Sequence, residues 1–396
     1  MADGDFTRRV PDSEWMPDAW VMGVSNVLRF ALTWCGLAAL FLGCFQAADA
    51  GWSGFVLALG LFFLSIVLHE AGHALAAVCG GATLVRVQVG AVELQALRKG
   101  WRVRWKRAPK GIGGMVQTFP SPYGSLRRQM MTTVVAGPLV NLMLALGSLG
   151  LGVALRDQDV GAGLLGFGAF NAMLALANLL PWSSAAMLAS DGLLLWRWIR
   201  GIDDDDPQAV FLMLNARFIS GERFGPWVDR YLRILERGTQ PGPMLVLWTR
   251  LKTLQMEGEW ARMEEVMREI ELQIVGLSPP MAKAMEGFIA VIRCEAAFSR
   301  AMAGERPEQP LVDVLGADMA WTFPALRLRC EALESALDGQ PEQARARLAA
   351  SALWSQRSVD RSLEYSEAVL RDAVQARIDG VRESSAPRMQ PVPVEA

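Results

Sequence analysis

Four apolar runs, residues 30–48, 54–79, 131–155 and 160–181, dominate the first half of the chain. Each is long enough to cross about 30 Å of hydrocarbon as a helix of about 20 residues. Between the second and third runs the pattern changes: "LVRVQV" and "WRVRW" alternate with the period of two that marks strands, and the Gly-rich "GIGGMVQTFPSP" follows. From residue 201 onward Arg, Glu and Asp become frequent and the apolar positions turn periodic, in units that read as helix, Gly-containing turn, helix. The expected fold is mainly α, a polytopic membrane bundle of about four spans with a small membrane-associated β region, followed by a soluble α-helical repeat domain.

Composition sharpens this division. A hydrophobic content of 52% with positive mean hydropathy is too apolar for an ordinary soluble two-domain protein. The first twenty residues carry acids and lack the basic-then-apolar layout of a cleaved signal, so the first run is expected to remain as a span. Between the second and third runs lie ten Lys/Arg against one acid, Glu93, which places that segment, both termini and the helical domain in the cytoplasm. The expected divisions are a cytoplasmic segment 1–29, a membrane domain 30–200, a helical-repeat domain 201–382 and a disordered tail 383–396. Cys35, Cys44, Cys79, Cys294 and Cys330 form no CxxC pair and read as small buried hydrophobes. Nothing points to a nucleic-acid partner; the lipid bilayer is one partner, and a cytoplasmic protein held by the repeats is another.

The chain has only two histidines, His69 and His73, and both stand in the second run within "SIVLHEAGHALAAV". With Glu70 they make HExxH, which on a helix aims two imidazoles at one zinc ion and sets the glutamate beside its open position. Flanks as apolar as "LFFLSIVL" and "ALAAV" offer no polar helix face, so these residues must be paired, metal-bound or turned to an aqueous cavity. A third ligand follows by elimination. Asp49, Asp157 and Asp159 fall at the opposite membrane face and Glu93 in the basic segment, which leaves Asp191, just after the fourth run. Asn171 and Asn178, seven residues apart, share a helix face aimed at the same place; for Asn171, inter-helix hydrogen bonding and a catalytic role stand equal, and for Asn178 the former is the weaker reading.

With these residues assembled, the membrane half resembles the site-2 protease family of intramembrane zinc metalloproteases. "HEAGHAL" is similar to that family's HExxH helix, "AGPLVNLMLAL" to its Gly-Pro-x-x-Asn signature, and "NLLP…SDG" to its Asn-Pro-Asp-Gly motif; "GIGGMV" resembles its Gly-Gly-aromatic-Val element, with Met115 in the aromatic's place. The resemblance implies hydrolysis of a peptide bond in or near a transmembrane helix of another protein, one zinc per chain on His69, His73 and Asp191, Glu70 as general base, and Asn178 positioning substrate or stabilising the oxyanion. One departure stands out: nine residues separate Pro181 from Asp191, about twice the family's usual spacing, and Ser190 replaces a common leucine. The C-terminal units, with Gly304 and Gly339 35 residues apart, resemble tetratricopeptide-like repeats. Two other readings remain, a catalytically silent membrane scaffold that binds partners through its repeats and, more remotely, a metal transporter.

Overall fold

The computed structural model describes residues 17–48, 51–107, 113–183, 189–200, 202–203, 205–223 and 225–380. The expected disordered tail and most of the expected N-terminal segment lie outside the described residues. Cα proximity divides the chain into two units, Met1–Pro243 with Ser278–Ala284, and Met244–Leu277 with Met285–Ala396.

In the first unit, four helices are long and apolar enough to cross a membrane: α1 (Ala19–Ala47), α2 (Trp52–Cys79), α3 (Leu126–Ala154) and α4 (Asp159–Leu179). Three match the apolar runs closely. The first begins at Ala19 rather than near residue 30, because nothing between Trp20 and Phe30 breaks a helix, and Arg29 finds an aromatic partner inside the fold, stacking 4.0 Å from the Trp182 ring.

Without a hydrophobic drive between helices in lipid, small residues that let backbones approach decide which spans pack together. The central helix α4 is built that way. A Cβ at Gly166 would meet the Ala39 carbonyl of α1, and one at Gly168 would meet Leu149 of α3, so α4 is gripped from both sides and holds Asn171 fully buried. Gly72 does the same for α2, facing the Ala136 carbonyl and Val140 of α3.

Both alternating stretches are strands, in a four-stranded antiparallel sheet of order β3-β2-β1-β4: β1 (Thr83–Val89), β2 (Val92–Ala96), β3 (Trp101–Trp105) and β4 (Gly114–Phe119). Glu93, fully buried, is paired by Arg104 at 2.9 Å, Lys106 at 3.6 Å and Arg86 at 3.7 Å, so the lone acid of the basic segment anchors three of its cations.

After α5 (Asp191–Arg200), α6 (Pro207–Ile219) starts on Asp206, whose side chain accepts from the Gln208 N–H, and α7 (Pro226–Arg237) follows. Ala209 of α6 packs with Leu126 and Trp198 in one apolar cluster, so α6 sits with the first unit although composition changes at residue 201.

The second unit is all helical among its described residues: α8 (Gly242–Met256), a 3-10 turn at Trp260–Arg262, α9 (Met263–Val275), α10 (Pro279–Ala303, its residues from Met285 on), α11 (Leu311–Thr322), α12 (Pro324–Leu337), α13 (Pro341–Arg357) and α14 (Ser362–Ile378). Gly258, Gly304 and Gly339 stand at the expected turns with positive φ.

Its core holds one buried ionic node. Arg329 of α12 bonds Glu295 of α10 and Glu367 of α14, each at 2.8 Å, and stacks 4.0 Å from the Phe298 ring; Lys252 and Gln255 of α8 also bond Glu295. Four helices, α8, α10, α12 and α14, meet at that node. Burial pushes the Glu295 carboxyl up, but the charges of Arg329 and Lys252 outweigh it and hold it at about 2, below the ordinary 4.5.

A depressed carboxyl contributes stability above its unfolded value and loses it as pH falls through the folded one. Amide protection in α10 and α12, measured by hydrogen exchange on the full chain and corrected for intrinsic rates, should therefore fall between about pH 4.5 and 2. Constant protection across that window would remove the node from the stability of this unit. Arg329→Met, which strands two buried carboxylates, should cost about 3–5 kcal/mol at neutral pH.

Candidate metal centre

His69 and His73 stand one turn apart on α2, both buried, with ring centroids 4.7 Å apart. Asp191, the first residue of α5, reaches both: one carboxylate oxygen lies 3.2 Å from His69 Nε2 and the other 3.4 Å from His73 Nε2, while the two Nε2 atoms are 3.1 Å apart. The sequence thus brings three donors from two distant segments within 4.8 Å of one another.

The hydrogen bonds behind the rings determine what those atoms are. His73 Nδ1 faces the Thr133 carbonyl at 2.7 Å, and a carbonyl only accepts, so the ring's proton is on Nδ1. For His69 the assignment runs further back. Asn171 Nδ2 donates to the Phe167 carbonyl at 2.9 Å, which turns Asn171 Oδ1 toward Asn141; Asn141 Nδ2 donates to it at 2.8 Å, which turns Asn141 Oδ1 toward His69 Nδ1. His69 must donate there as well. With the imidazoles neutral, both Nε2 atoms carry lone pairs, and with the partly buried Asp191 carboxylate they offer a cluster of acceptors to one shared cation. Two imidazole nitrogens and a carboxylate oxygen are the donor chemistry of a catalytic zinc site, and the residues present fit that ion.

Space for this arrangement comes from glycines. A Cβ at Gly137 of α3 would overlap the His73 imidazole, and the neighbouring Pro138 has no N–H for the Val134 carbonyl, which loosens the helical ladder beside Thr133. A Cβ at Gly114 of β4 would overlap the Glu70 side chain. Glu70 is thus buried against the backbone of β4, and its carboxylate takes no hydrogen bond among the described residues.

Asp191 is held in place despite the long loop before it. Ser190 Oγ accepts from the N–H groups of Trp182 and Leu193 and donates to the Leu180 carbonyl, and Ser183 and Ala189 form a β-bridge. The added residues are closed off at their base, and 184–188 lie outside the described residues. Ser190 in place of leucine is what staples that base. At Gly192 a side chain would overlap the Leu179 carbonyl, so α5 starts directly against the end of α4.

Of the expected asparagines, Asn171 is a buried inter-helix partner two hydrogen bonds from His69. Asn178 is half-buried near the end of α4, and its side chain makes no hydrogen bond among the described residues. Asn141 had no role assigned from sequence. Its spacing of four from Gly137 puts it on the face that meets the histidines, and that was the signal available.

Residues 56–304, more than half of the chain, match the family model described as peptidase family M50. No curated protein and no solved structure matches the chain.

Asn141→Leu leaves His69 Nδ1 without an acceptor, so zinc affinity, measured by chelator competition on the purified protein, should fall about 10–100-fold. Unchanged affinity would remove Asn141 from the support of the site. Gly137→Ala should lose the metal altogether, since the His73 ring has nowhere to sit.

Proposed function

The chain belongs to peptidase family M50, and on that footing we propose that it is a zinc-dependent intramembrane endopeptidase, hydrolysing a peptide bond in or near a transmembrane segment of another membrane protein. Membership and the four apolar helices make it a multi-pass membrane metalloprotease. The observation that carries the finer reading is the acceptor cluster of His69, His73 and Asp191, which asks for a cation, beside Glu70, whose carboxylate is left free.

In this reading His69, His73 and Asp191 hold the zinc, one per chain. When bound, zinc polarises the scissile carbonyl and lowers the pKa of water. Glu70 takes the proton of the attacking water and returns it to the leaving nitrogen. Its burial against Gly114 limits the directions in which the carboxylate can turn. Asn178, with an uncommitted amide one residue from the Leu179 carbonyl that abuts Gly192, holds the substrate backbone or the developing oxyanion.

A helical substrate hides its amides and has to unwind before it can be cut. The strand β4 ends the sheet, pairs on one side with β1, and begins beside Glu70, so an extended peptide added to its other edge would run past the general base. In this reading the protein is one of a bacterial inner membrane, and the basic segment between the second and third spans puts both termini in the cytoplasm, where the tetratricopeptide-like helices offer a surface to a protein partner.

Co-expression with single-span membrane proteins tests the reading. Glu70→Gln should abolish cleavage while the purified protein still retains zinc; persisting cleavage would dismiss Glu70 as base, and a variant and wild type equally inactive on every substrate while binding partners would favour the scaffold. Proline at single positions within residues 113–117 should reduce cleavage with zinc retained, and full activity in such variants would end the strand-addition step.

A further inference from the structure

Arg29 is a cation within a helix long and apolar enough to cross a membrane, and a charge in such a place persists where a partner or a task holds it. Among the described residues it has no carboxylate partner, and its Nε is buried without a hydrogen bond. What it meets is the face of the Trp182 indole, with the guanidinium carbon 4.0 Å from the ring centre. A planar guanidinium can lie flat on that face, which an ammonium cannot do.

Helix periodicity explains why the contact falls there. Gly43, Gly36 and Arg29 are spaced by seven, two turns at a time, and so share one face of α1 to within about 20° per step. The glycines define that face: a Cβ at Gly43 would meet the Ala162 carbonyl and Gly166 of α4, and one at Gly36 would meet Phe170 and Met173. Two turns further along α1 the partner helix runs out, since α4 ends at Leu179 and the chain turns extended at Leu180 before reaching Trp182. Glycines suffice where two helices touch. Past the end of α4 a long side chain is needed to reach across.

Trp182 leads directly to the third metal-ligand candidate. Its N–H donates to Ser190 Oγ at 3.0 Å, and its carbonyl accepts from the Ser190 N–H at 2.8 Å. Ser190 also opens α5: its Oγ accepts from the Leu193 N–H at 3.1 Å and its carbonyl from the Leu194 N–H at 3.0 Å, and Asp191 is the next residue. Trp182 and the start of α5 therefore move together. These bonds tie the long link before Asp191 to itself and to the end of α4, and the Arg29 contact adds a hold from α1.

Resting on the reading of His69, His73 and Asp191 as zinc ligands, we propose that Arg29 is a positioning residue for the metal centre. By stacking on Trp182 it fixes, through the Trp182–Ser190 pair, where Asp191 stands against the two histidines. A cation needed only to set the orientation of α1 across the membrane would have no use for Trp182.

Cobalt(II), whose visible absorption reports the geometry of its ligands, tests the assignment on the full chain purified in detergent and stripped of metal, with zinc affinity measured in parallel by chelator competition. Arg29→Met should shift the cobalt bands and lower zinc affinity about 5–30-fold, the range of one desolvated cation–π contact. Arg29→Lys should recover part of the loss, since an ammonium keeps the charge over the ring without the flat stack. Trp182→Leu leaves the charge of α1 and hence its insertion untouched, and should reproduce the effect; the double variant should be no weaker than the worse of the two. Wild-type affinity and bands in Trp182→Leu would overturn the proposal whatever Arg29→Met does. Losses that add in the double variant would overturn it as well, because Arg29 would then act elsewhere than through the indole. A wild type that binds no cobalt, or whose bands Asp191→Asn leaves unchanged, would instead overturn the ligand reading, and the role of Arg29 with it.

Discussion

The Phe167 carbonyl fixes the direction of every hydrogen bond between it and His69. A backbone carbonyl cannot donate, so Asn171 must present its amide nitrogen there and its oxygen to Asn141, and Asn141 must in turn present its oxygen to the imidazole. The proton of His69 is thereby held on Nδ1 and the lone pair of Nε2 is left facing Asp191 and His73. A single element of α4 geometry sets the chemical identity of an atom on α2, through a residue of α3. In a low-dielectric interior such a chain is rigid because any flip strands two or more polar groups.

The chain of amides needs the spans at close range, and the glycines provide it. Gly166 and Gly168 bring α1 and α3 against α4, Gly72 brings α2 against α3, and Gly137 then opens room for the ring that this approach would otherwise exclude. Close helix packing and a ring-sized gap are opposing demands. Alternating small and larger residues along α3 meet both, with Ala136 and Val140 in contact and Gly137 withdrawn. Gly114 and Gly192 extend the same solution to the sheet and to α5, whose backbones come up to Glu70 and to the end of α4.

The four spans, the strands and the histidine pair were legible in the sequence because each has a local cause: apolar length, period-two alternation, the cost of a polar group among leucines. Asp191 was within reach by elimination, since few acids compete for the position. The role of Asn141 was not legible, because a hydrogen bond across three helices depends on how deeply glycines let them approach, and spacing along one chain does not encode that distance. The loop before Asp191 was open for a related reason. Its length alone suggested displacement, whereas Ser190 and the Ser183–Ala189 bridge close it at the base through contacts between residues six to ten apart. The extent of the first unit was hidden likewise: composition shifts at residue 201, but Ala209 is buried against Leu126 and Trp198.

Two carboxylates in this chain show how the facing groups decide what an acid does. Glu295 faces Arg329 and Lys252, so its charge is cancelled by donors within the protein and its removal from water serves only to join helices. Asp191 faces two imidazole nitrogens whose protons are committed elsewhere, to Thr133 and Asn141. Its charge has no fixed positive partner among them. The first arrangement is complete as folded, and a further ion would find nothing to bind. The second presents acceptors that a shared cation would fit, and because the helices, glycines and amide chain hold them in place beforehand, little of the free energy of binding such an ion would go into ordering them.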